Sequence, residues 1–191
     1  MLRRLDTAKA IQAVGVVLRR EGKRSGRLRL LKLLYIADRK CLAETGAFLL
    51  GSKFVAMKHG PLHSEVLDLI NGWHLGEPDW SQYFRTDGRW ITLESEPEVG
   101  RLSRHEVELL NSVADEHAGK DDWEIVEYTH AFDEWKKNYP NLAEDTSKLI
   151  PLEDVIDATG RTADKQAILQ DLNDEAAYDG FFEELRGATK E

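Results

Sequence analysis

Nine residues constrain this chain more than any others: Leu30-Leu31-Lys32-Leu33-Leu34-Tyr35-Ile36-Ala37-Asp38. Helical spacing runs from about Leu28 to Ala43, but Leu30, Leu31, Leu33, Leu34, Ala37 and Cys41 cover more than one face, so the helix must be enclosed by neighbours. Gly46 ends it. The chain has 191 residues, enough for one full core or one domain with a helical appendage, and this argues against two equal domains.

The elements able to enclose that helix can be read on either side. Ala10, Ile11, Val14, Val17 and Leu18 predict a first helix, and the stretch from Gly22 to Gly26 reads as a basic linker through Lys23-Arg24-Ser25. Phe54-Val55-Ala56-Met57 reads as a strand, running through a tight Lys58-His59-Gly60-Pro61 turn into a third helix. Pro61 would occupy that helix's first turn, and Leu62, Val66, Leu69, Ile70 and Trp73 its apolar stripe. Asp87-Gly88 predicts a two-residue hairpin between Tyr83–Thr86 and Arg89–Leu93, which together with Phe54–Met57 would form one small antiparallel sheet. Ser103 and Glu106 form a capping box, with Leu102 and Val107 as a hydrophobic staple, at the start of a fourth helix. Asp121 and Glu124 repeat the box before a fifth helix ending ahead of Pro140, its aromatics Trp123, Tyr128, Phe132 and Trp135 assigned to the core.

Beyond Pro140 the composition changes. Residues 150–191 carry eleven acidic and four basic side chains, yet Val155, Ile156, Ile168, Leu172, Ala176, Phe182 and Leu185 keep helical spacing. Phe181 and Phe182 require that this segment pack on the body or on a partner. The expected fold is mainly α: a compact helical domain over 1–140 with about three short antiparallel strands, and an acidic helical extension over 141–191.

Charge is divided along the chain. The net −9 conceals fourteen Lys and Arg against four Asp and Glu in residues 1–60, a balance of +10 that leaves −19 for the remainder. No apolar run reaches the length of a membrane span, and no signal-type core follows Met1, so the cytoplasm is the expected location. Cys41 is the sole cysteine; it excludes an intrachain disulfide and a cysteine-based zinc site, and its register places it as a buried thiol.

The chemistry on offer is thin. His59, His63 and Glu65 flank the Gly60-Pro61 break, so they do not share consecutive turns of one helix as a zinc site requires; His59 is expected to hold the turn through hydrogen bonds and His63 to be exposed. Asp38 is expected to hydrogen-bond a neighbouring element such as the His59 loop. No nucleophile elbow or phosphate-binding glycine loop is present. Neither a catalytic set, a metal site nor a cofactor is expected. Arg19, Arg20, Lys23, Arg24, Arg27 and Arg29 form the best basic cluster and are the candidate nucleic-acid contacts, though the helix that follows them is too apolar to lie in a groove.

The run Leu30–Asp38, then Gly51 and Phe54-Val55-Ala56-Met57-Lys58-His59-Gly60-Pro61, then the helix from Leu62 to Trp73, resembles the signature of the Panacea domain, or SocA-like, family over roughly Thr7–Pro140. Lys32, Leu34, Tyr35, Asp38, Lys58, His59, Gly60 and Pro61 carry the signature. His59 departs from it, because an aromatic commonly precedes Gly-Pro. The resemblance implies a non-enzymatic type II antitoxin that neutralises a protein toxin, encoded by an adjacent gene, through direct contact. The alternative reading is a DNA-binding autoregulator that meets operator DNA through the basic segment 19–29, or an adaptor that delivers its partner to a protease, or a phage-associated interaction protein. The extension, through Phe181, Phe182, Glu183 and Glu184, is the expected additional grip on a basic toxin.

Overall fold

The computed structural model describes residues 5–139 and 146–188; in the last helix its side chains are described as far as Phe181, residue 179 excepted. In chain order the elements are α1 (Thr7–Arg20), β1 (Arg24–Gly26), α2 (Arg27–Thr45), β2 (Phe54–Met57), β3 (Gly60–His63), α3 (Ser64–Asn71), α4 (Glu77–Trp80), β4 (Phe84–Asp87), β5 (Trp90–Leu93), α5 (Arg104–Glu116), α6 (Asp122–His130), α7 (Asp133–Asn138), β6 (Lys148–Leu149), α8 (Leu152–Ala158), a 3₁₀ turn (Thr162–Asp164) and α9 (Lys165–Ala188). The protein is mainly α with two small antiparallel sheets.

α2 is the axis of the fold. Twelve of its nineteen residues are buried, and α1, α5, α6 and β3 pack around it, which is why its apolar residues occupy every face. Each large aliphatic side chain buried in this way contributes about 1.5–3 kcal/mol. Gly46, at φ 76°, stops the helix in the left-handed conformation and donates its N–H to the Leu42 carbonyl. α1 starts on Asp6, whose carboxylate accepts from the Lys9 N–H at 3.0 Å, and α5 and α6 start on the two capping boxes seen in the sequence, Ser103/Glu106 and Asp121/Glu124.

Several elements differ from expectation, each for a tertiary reason. The basic linker is a strand: Lys23 takes φ 70° and turns the chain so that Arg24, Ser25 and Gly26 pair with Thr92, Ile91 and Trp90. Three residues are too few to show a period. Pro61 lies in β3 opposite Ala56, not in a helix, and α3 begins at Ser64; β3 is an edge of its sheet, where a missing N–H is tolerated. The strands form two sheets, ordered β1-β5-β4 and β3-β2-β6, where one was expected. The fifth helix breaks at Ala131–Phe132 into α6 and α7, Phe132 being extended at ψ 129°. Trp73, past the left-handed Gly72, is 77% exposed, Trp123 58% and Tyr128 40%, so none of the three joins the core.

The segment after residue 145 contributes to both sheet and core. β6 pairs with β2, Leu149 opposite Val55, and Ile150, Val155 and Ile156 are buried in the same cluster as α2. α9 then packs on α8 through the buried Ile168. Because the Asp121 carboxylate satisfies the N–H groups of both Trp123 and Glu124, Asp121→Ala is expected to lower the unfolding free energy by about 1 kcal/mol, measured by urea denaturation followed by circular dichroism.

Candidate functional site

α2 carries four polar side chains into the interior, and three of them belong to the signature. Asp38 is fully buried; its Oδ1 accepts from the Leu49 N–H at 2.6 Å and its Oδ2 from those of Leu50 and Gly51 at 3.1 and 3.2 Å. The His63 Nε2 lies 3.5 Å from the same Oδ2, while His63 Nδ1 and the Ser52 hydroxyl share a hydrogen bond of 2.8 Å. These three residue types also make up hydrolase triads, but here the histidine faces serine through Nδ1 and aspartate through Nε2, the reverse of the catalytic arrangement. All three side chains are sealed from solvent. Burial pushes the His63 imidazole below its ordinary pKa although Asp38 pulls the other way, so the ring is neutral near pH 7. The group is a clamp that fastens the 49–52 loop to α2.

The two histidines therefore exchange their expected roles. His63 is buried because β3 is enclosed by α2, α6 and β2, whereas His59 sits at the exposed hairpin tip with its ring edge-on to Trp123 at 5.1 Å. Asp38 does bind a neighbouring element, namely the 49–51 loop rather than the His59 loop.

Lys32 is also completely buried, and its ammonium group donates to the Pro61 carbonyl at 2.7 Å. Desolvation lowers its pKa from 10.5 to about 7. Gly60 makes the approach feasible: it holds φ 88°, and a Cβ there would overlap the Thr129 hydroxyl and stand 3.3 Å from Lys32 Nζ. Tyr35 donates its hydroxyl to Glu134 Oε1 at 3.1 Å; Arg39 donates Nε to the same oxygen at 2.9 Å while stacking on the Phe132 ring. Glu134, 1% exposed on α7, was not legible as a partner, because nothing in the sequence pairs it with α2 across almost a hundred residues. Leu34 is plain core, and Lys58 is exposed beside His59. Cys41 is buried, and burial raises its thiol to about 11, the behaviour of an inert thiol.

The basic cluster is largely engaged within the fold. Arg19 and Lys23 both meet Glu96, Arg20 meets Asp115, and Arg29 is buried against Glu21 and the carbonyls of His117 and Lys120. Arg27 donates to Asn71 Oδ1 at 2.9 Å, and Arg24 lies over the Trp90 ring, which Arg89 also flanks. Phe181 is 56% exposed on α9. The side chains of Phe182, Glu183 and Glu184 lie outside the described residues.

Residues 30–136 match the family model described as antitoxin SocA-like, Panacea domain. The chain belongs to the SocA-like Panacea family. No curated protein and no solved structure matches it. The match opens within α2 and closes within α7, so it spans both the Asp38 clamp and the Lys32–Pro61 contact and stops short of the segment after residue 145. Membership supports an antitoxin-like role with a toxin as the general class of partner. Among the described residues, no helix is long and apolar enough to cross a membrane.

Two outcomes follow from this interior. Asp38→Asn leaves one oxygen for three amide donors and turns an NH₂ toward them, so it is expected to cost at least about 2 kcal/mol, read from urea midpoints. Lys32 binds its proton more weakly folded than unfolded, so the unfolded chain holds more protons above about pH 7 and stability should rise with pH from there to about pH 9. Above that, Cys41 and Tyr35, both raised by burial, act in the opposite sense. Lys32→Met should flatten the rise between pH 7 and 9 in the same denaturation measurement.

Proposed function

We propose that this chain is the antitoxin of a type II toxin–antitoxin pair and neutralises its cognate protein toxin by direct binding, without catalysis of its own. The observation that carries the reading is the family match over residues 30–136. The interior supports it. The buried polar residues of the signature, Lys32, Tyr35 and Asp38, are consumed in holding the hairpin, α7 and the 49–51 loop to α2, and the Ser52–His63–Asp38 trio, which has the composition of a hydrolase triad, has no solvent access and the wrong ring orientation. Such a site cannot meet a substrate.

Surface charge bears on the kind of toxin. The chain carries a net −9, and four of the six arginines and lysines in its basic segment are held by its own carboxylates, so a basic toxin is favoured in the encounter. α9, with Asp171, Asp174 and Glu175 exposed, adds an acidic face to that encounter. Co-expression with the product of the adjacent gene tests the reading. Growth should be arrested by that product alone and restored when this chain is present, with a complex recovered by size-exclusion chromatography. A neighbour that is harmless alone, or toxic despite soluble antitoxin, refutes it.

A further inference from the structure

One sheet ends on an open strand. β4 pairs with β5 on one side and, among the described residues, has no strand on the other. The two-residue loop Gly88-Arg89 closes on the Asp87–Trp90 pair, so the alternation of an antiparallel ladder turns the main-chain groups of Asp87 and Arg85 toward β5 and those of Phe84 and Thr86 outward. The Leu93 N–H, opposite Phe84, confirms the register by donating to the Lys23 carbonyl on the β1 side at 2.8 Å. The main-chain groups of two residues thus face away from the sheet, those of Thr86 at the surface and those of Phe84, 3% exposed, at the buried end of the strand.

Beside that edge lies a cleft of about 600 Å³ between β4 and the α3–α4 corner. Its apolar wall comes from Leu69, Ile70, Trp80 and Phe84. The Trp80 indole N–H is buried in the wall and has no acceptor among the described residues. The rim is acidic: Glu77 and Glu94 line it, and the single lining cation, Arg85, is already held by Glu94 at 2.7 Å. Asp79 and Asp87 stand exposed beside it. Trp73 and Leu75, almost bare to solvent, follow directly on Gly72, which also lines the cleft.

We propose that the open edge of β4 and this cleft receive an extended, basic and apolar segment of the toxin, added to the sheet as a fourth strand. The inference rests on the antitoxin reading and names the surface and chemistry that reading leaves open. Main-chain groups spaced two residues apart match an extended chain and not a helix, the apolar wall accepts one side chain of that chain, and the rim selects Lys or Arg on either side of it. A second copy of this protein fits poorly. Its own β4 presents Arg85, Thr86 and Asp87, so pairing two such edges would place no apolar side chain in either cleft.

The test uses the full chain and the purified adjacent-gene product. Thr86→Pro removes the outward N–H while leaving the bonds to β5, and Ser81→Arg, at an exposed position lining the cleft, fills it and offsets its negative charge. Each variant is expected to weaken binding at least tenfold and to lose growth rescue, with a thermal midpoint close to that of the wild type. In the wild-type complex, amide exchange at Phe84 and Thr86 should slow relative to the free protein. Ser81→Arg decides the matter if Thr86→Pro is unstable. Folded variants that bind within twofold of wild type overturn the inference while rescue by the wild type keeps the antitoxin reading. A wild-type dimer dissolved by Thr86→Pro, seen by light scattering, overturns it in favour of self-pairing. Failure of the wild type itself to neutralise the adjacent-gene product overturns the antitoxin reading, and the toxin segment named here with it.

Discussion

The carboxylate of Asp38 organises more of this molecule than any other group. A buried carboxylate is costly unless its lone pairs are met, and here three consecutive amide donors at Leu49, Leu50 and Gly51 meet them, with the His63 ring alongside. The loop is thereby drawn onto α2 at one fixed point. β2 leaves it two residues later, β3 returns antiparallel to β2, and His63 at the end of β3 closes the circuit through Ser52. An apolar residue at position 38 would leave three buried donors unpaired. The polar centre is therefore a specifying device: it determines where the hairpin docks on a helix whose apolar surface alone would accept many placements.

Lys32 and Glu134 extend the same logic in opposite directions along α2. Lys32 binds the Pro61 carbonyl of the hairpin, and Tyr35 with Arg39 binds Glu134 of α7. The signature residues of α2, with Gly60 and Pro61, are thus consumed in assembling the fold, while Lys58 and His59 stay exposed at the hairpin tip. What the fold leaves exposed lies elsewhere: the Lys58–His59 tip, Thr86 on the outer edge of β4, the rings of Trp73 and Trp123, and the acidic residues of α9.

Much of this was legible beforehand, and the reasons are local. α1 and α2 announce themselves by apolar spacing, α5 and α6 by capping boxes, and the β4–β5 hairpin by Asp87-Gly88, because each signal needs only residues within one turn or one helix. What was misread depends on distant contacts. β1 exists because β5 offers it an edge; Pro61 is in a strand because Ala56 lies opposite and Lys32 takes its carbonyl; the single helix expected before Pro140 is two because Phe132 turns inward to meet Arg39 and Tyr35. His59 and His63 look equivalent in the sequence. Their burial differs because one falls at a turn and the other at the covered end of a strand.

The sequence by itself determined the helical class, the central enclosed helix, the places where α2, β2, α5 and α6 begin, and the family, since all of these follow from periodicity, turn chemistry and short-range order. Tertiary structure alone decided which carboxylate answers which donor, which histidine is buried, how the basic segment is neutralised, and which strand edge stays open. Those outcomes join residues on different elements, 11 positions apart at Asp38 and Leu49 and 99 apart at Tyr35 and Glu134. Side-chain polarity records only that a group needs a partner, and folding in three dimensions supplies the partner.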